Sequence, residues 1–104
     1  MSGLMIGDIA VQRIVEEEVP FFIPHETFVE ATPEALAPHR HWLEPNAMDP
    51  ETGMLILPFQ SYLVRTKHHT ILIDTCIGCG KSITHRPQWF QRTDQTWLNN
   101  LRAA

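Results

Sequence analysis

Residues 61–76 read SYLVRTKHHTILIDTC. Two runs rich in β-branched and aromatic residues flank a polar tip, the pattern of two antiparallel strands joined by a tight turn. MLILPFQ at 54–60 extends the first run backwards, and Lys67-His68-His69 supplies the turn. The second run, Ile71-Leu72-Ile73, is apolar in succession and does not alternate. Such runs belong to strands covered on both faces, so this one is expected at the centre of a layered fold. It ends in Asp74, an acid placed where burial is expected. An acid there has to be hydrogen-bonded, ion-paired or metal-bound. Asp74 reads as a turn cap that accepts N–H groups of the loop it opens, and equally as an acid that holds that loop for a neighbouring site.

Working outward, IGDIAVQRIVEEEV at 6–19 alternates as a strand, with Ile9, Val11, Arg13 and Val15 on one face and Ala10, Gln12 and Ile14 on the other. Glu16-Glu17-Glu18 reads as a solvated strand end that protects a sheet edge. Pro20 and Pro24 are expected to break regular structure around Phe21, Phe22 and Ile23. Thr32-Pro33-Glu34 is a helix start, with Thr as N-cap, Pro in the first turn and an acid beside it. Pro38 cuts or restarts that helix. Residues 44–53, EPNAMDPETG, form a turn-rich loop. Gly78 and Gly80 mark a second loop with unusual backbone angles. Thr93 is expected to cap a last helix, with Asp94 in its first turn and Trp97, Leu98 and Leu101 as its apolar stripe.

The bulk numbers exclude several function classes. The chain has 104 residues, 43% hydrophobic and 19% charged, with a net charge of −4. That describes an ordinary globular chain, not a disordered one; the strands and helices read above make the expected fold class α+β, mainly antiparallel strands with one or two helices. The eight Lys and Arg residues are scattered, so no polyanion footprint for nucleic acid exists. No apolar stretch approaches the ~20 residues that cross a bilayer, and MSGLMIGDIA lacks the basic and apolar regions of a signal peptide. A cytoplasmic location is the expectation. The helix that runs into Leu-Arg-Ala-Ala carries no capping signal, and a strand buried on both faces needs two covering layers. Residues 1–104 are therefore expected to be one N-terminal segment of a longer domain, the alternative being a complete small domain with a frayed last helix.

Among side chains that could carry chemistry, Cys76-Ile-Gly-Cys79 has the spacing of half a zinc site or of a redox pair. No second pair of ligands follows it, and two free cysteines in a loop is the preferred reading. His39-Arg40-His41 would chelate a metal only on a strand, and Pro38 argues against one. His68 and His69 sit at a turn tip, while His25 and His85 are isolated. No catalytic residue can be named.

Ser61-Tyr62-Leu63-Val64 followed by Thr70-Ile71-Leu72-Ile73-Asp74-Thr75 resembles the strand pair that precedes the metal motif in the metallo-β-lactamase superfamily. His39-Arg40-His41-Trp42-Leu43, Leu57-Pro58-Phe59-Gln60 and Ile73-Asp74-Thr75-Cys76-Ile77-Gly78 are similar to its lactonase-like or organophosphate-hydrolase-like branch. The resemblance implies the N-terminal part of an αββα sandwich. It also implies a hydrolase of lactones, esters, β-lactams or phosphotriesters whose two zinc ions activate water for attack on a small-molecule substrate. Asp74 is the one position it assigns, as support for the metal loop. The family's HxHxDH motif is absent from residues 1–104, so these residues are expected to hold no zinc and to be inactive by themselves. Cys76 stands where many relatives carry Gly. Two readings from other classes remain: an interaction domain that self-associates through an exposed sheet, and a small metal or redox module using Cys76 and Cys79.

Overall fold

The computed structural model describes residues 3–104; Met1 and Ser2, which open the MSGLMIGDIA stretch, lie outside it. The fold is α+β. Strands β1 (Gly3–Ile6), β2 (Ile9–Phe22), β3 (Leu55–Arg65) and β4 (Thr70–Ile73) form one sheet in the order β1-β2-β3-β4. Short helices α1 (Pro24–Thr27), α2 (Pro33–Leu36) and α3 (Arg40–Leu43) lie in sequence between β2 and β3, and α4 (Thr96–Ala103) follows β4. The chain divides into two compact units. One joins the N-terminal stretch through Glu17 to Phe59–Ala104; the other is Glu18–Pro58.

In the first unit, β1 and β2 pair antiparallel, with Ile6 opposite Ile9 across the Gly7-Asp8 turn. Gly7 has φ +62, a conformation glycine adopts without steric cost. This turn splits what the alternation of residues 6–19 presents as one strand. β2 lies between β1 and β3, and the described part of β1 pairs with its residues Ile9–Gln12, short of the glutamate run. The buried phase is Ile14 and then Glu16, 2% and 7% exposed, and the expectation of a solvated Glu16 fails. A strand repeats every two residues, so an acid two places after a buried isoleucine enters the same layer.

The β3–β4 pair forms as expected, with Tyr62 opposite Ile73 and Arg65 opposite Thr70. Its turn is closed by Thr66 N–H donating to the His69 carbonyl at 2.8 Å. The central position expected for β4 does not hold. β4 is an edge strand, and Ile71, Leu72 and Ile73 are 46%, 36% and 52% exposed. An apolar run marks a strand that gains from cover on both faces, yet it does not supply the cover. The core side of β3 holds Ser61 and Leu63, both buried. The least exposed residues of α4 include the predicted stripe of Trp97, Leu98 and Leu101. Its N-cap is Gln95, not Thr93, and makes no side-chain capping bond; one place earlier, Asp94 Oδ1 accepts from the Thr96 N–H at 2.9 Å and from its hydroxyl at 2.6 Å.

In the second unit, the N-cap at Thr32 forms as read, its hydroxyl accepting from the Ala35 N–H at 3.2 Å. Pro38 restarts the chain through a 3-10 turn at Ala37–His39 into α3. Pro20 does not break β2, which continues to Phe22. A proline in extended conformation costs only its missing N–H, and Pro20 is exposed. Residues 44–53 are turns, anchored by the buried Met48, which bridges to Leu55.

Candidate functional site

β4 delivers the chain into residues 74–80, an irregular loop of the first unit held by side-chain and backbone hydrogen bonds. Asp74, Cys76, Gly78 and Gly80 have φ of 68, 57, 78 and 70. Left-handed backbone is ordinary for glycine, tolerated by aspartate, and rare for cysteine. Asp74 is exposed, contrary to the burial its place after Ile73 implies. Its Oδ1 accepts the Cys76 N–H at 2.8 Å, closing the Asx turn that the turn-cap reading describes.

A second carboxylate holds the far side of the loop. Glu16 Oε2 accepts from Gly78 N–H at 2.9 Å and Oε1 from Ile77 N–H at 3.2 Å. Behind it, Arg92 Nη1 lies 3.5 Å from Glu16 Oε1 and 3.3 Å from Glu17 Oε2, while Nη2 reaches Asp94 Oδ2 at 3.2 Å. The Arg92 and Glu16 side chains are 10% and 4% exposed, and a charge buried to that degree is stable only with such partners. Arg92 also accepts, through its carbonyl, the Gly80 N–H at 2.9 Å, and Gln91 N–H donates to the Lys81 carbonyl at 2.7 Å. The loop is thus fastened at 76, 77, 78, 80 and 81.

Cys76 and Cys79 are both free, the first half-buried and the second exposed. Ser61 Oγ accepts the Trp97 indole N–H at 2.9 Å and lies 3.2 Å from Cys76 Sγ. With a lone pair committed to Trp97, the hydroxyl hydrogen is free to point at the sulfur. Burial pushes the Cys76 thiol up, and the Glu16 and Asp74 charges add to that, against the opposing Ser61 hydrogen bond. A raised thiol is a poor nucleophile and a poor metal ligand at neutral pH. A cavity of 110 Å³ beside the loop is lined by Glu16, Gly78, Cys79, Asp94, Trp97 and Leu98.

Among the described residues no three His, Cys, Asp or Glu side chains converge as a metal ion would need. A catalytic zinc takes about three protein ligands converging on one point. His39 and His41 are exposed on a 3-10 turn and α3, and His39 Nδ1 accepts the Trp42 indole N–H at 3.2 Å. Arg40 pairs with Glu44. His68 and His69 are exposed at the tip of the β3–β4 turn, and His25 and His85 are exposed as well. Glu16 and Arg92 are the site residues that reading the sequence missed. The Ile14–Glu16 phase was available as a signal for the first; nothing in the sequence marks Arg92, 76 positions away. The chain matches no protein-family model, and no curated protein or solved structure shows significant similarity to it.

Proposed function

We propose that this chain is the N-terminal segment of a metal-dependent hydrolase of the metallo-β-lactamase superfamily, acting on a lactone, ester, β-lactam or phosphotriester and inactive by itself. The observation that carries this reading is the end of β4. An antiparallel strand pair delivers Asp74 into a loop whose backbone turns left-handed at once, and the Asp74 carboxylate organises that turn. An acid in this place can hold a neighbouring metal loop without touching the metal. In this reading residues other than those described here would hold two zinc ions, whose chemistry would be the activation of a water for attack. Cytoplasmic residence goes with the reading, and no helix among the described residues is long and apolar enough to cross a membrane.

Metal analysis and a hydrolysis panel on the 104-residue chain test the proposal against the small metal module. After dialysis in the presence of a modest chelator, the chain is expected to retain no stoichiometric zinc and to turn over no lactone, β-lactam or phosphotriester. Tightly held zinc that is lost on replacing Cys76 and Cys79 by Ser would overturn it in favour of a metal module.

A further inference from the structure

We infer that the free edge of β4 is a self-recognition surface, where two copies of the 104-residue chain pair β4 to β4 antiparallel about a two-fold axis. The inference does not rest on the hydrolase reading. Its starting point is the direction of the backbone groups. Thr66 N–H bonds the His69 carbonyl, so positions 66 and 69 are a hydrogen-bonded pair. In an antiparallel ladder such pairs recur at every second residue. With the observed register, Ile71 and Ile73 therefore bond to Val64 and Tyr62. Thr70 and Leu72 turn their N–H and C=O groups away from β3.

Proteins blunt such an edge with a charge, a proline or a bulge. TILI carries no charge and no proline, and all four residues are exposed. An extended strand satisfies this row of groups with main-chain hydrogen bonds. Charge selects which strand. Lys67, His68 and His69 lie at one end of β4 and Asp74 at the other. When Thr70 of one copy faces Leu72 of the next, positions 67 and 68 fall opposite positions 75 and 74, and the Lys67 end of each copy meets the acid of the other. Parallel pairing would set like charges together. The other edge, β1, has no such opposition of charge at its two ends among the described residues. A two-fold β4 pair closes on itself, as an isologous interface must. Four residues a side is a small surface, so the association is weak.

Sedimentation equilibrium over a wide concentration range, with residue-resolved amide exchange, tests the inference. The expected mass rises from 12.0 kDa toward twice that, while exchange at Thr70 and Leu72 slows with concentration and exchange at Ile71 and Ile73 does not change. Replacing Lys67→Glu together with His68→Glu, both exposed, should raise the dissociation constant about tenfold. A monomer at every concentration overturns the inference. So does a dimer whose Thr70 and Leu72 amides exchange as in the monomer, growth beyond the dimer, or a charge variant that pairs as tightly as the parent.

Discussion

Asp74 combines a conformation and a contact that few residues can supply together. Its φ of 68 is left-handed, and its carboxylate accepts the N–H two residues on. Alanine loses the acceptor and also suffers the left-handed backbone, which costs roughly 1–2 kcal/mol for an ordinary L-residue. Asp74→Ala is therefore expected to lower stability by about 1–2 kcal/mol in urea denaturation, while Asp74→Asn, which keeps an acceptor and tolerates the same φ, stays near the parent. Overlapping curves for the parent and the alanine variant would show that the turn does not depend on the side chain. The turn-capping role of Asp74 was legible, because an acid directly before a loop rich in Gly and Cys has few other uses. Its exposure was not, since burial was argued from neighbours whose own cover was assumed.

At the scale of elements, the two-residue period of β2 decides more than its composition. Three consecutive glutamates look like solvated surface, yet only Glu18 is exposed, while Glu16 follows Ile14 into the interior. There it ties β2 to loop 74–80 and, through Arg92, to the segment that enters α4. Removing the carboxylate strands two backbone donors and leaves Arg92 short of one partner. Glu16→Ala should cost about 2–3 kcal/mol, as buried unsatisfied groups do, whereas Glu30→Ala, at an exposed position outside the sheet, should be close to neutral. Equal and small effects for both would contradict the clamp. Local signals found the β3–β4 turn, the Thr32 cap and the stripe of α4, because each is written within a few residues. The clamp depends on residues 61 to 76 positions apart, and no local pattern records such a pairing.

At the scale of the whole chain, α+β character with mainly antiparallel strands follows from periodicity and from the proline and glycine punctuation. The strand order does not, because the same alternation suits an edge or a centre. β4 shows this: its apolar run was read as covered, and it is the exposed edge. The hydrolase reading rests on the strand pair and the loop that Asp74 opens, and the motif that would hold metal is not in residues 1–104. Reading the coding sequence in frame beyond Ala104 tests that reading most directly. The expected result is a turn, an apolar strand and then a His-x-His-x-Asp-His motif; a stop codon directly after Ala104 would contradict it.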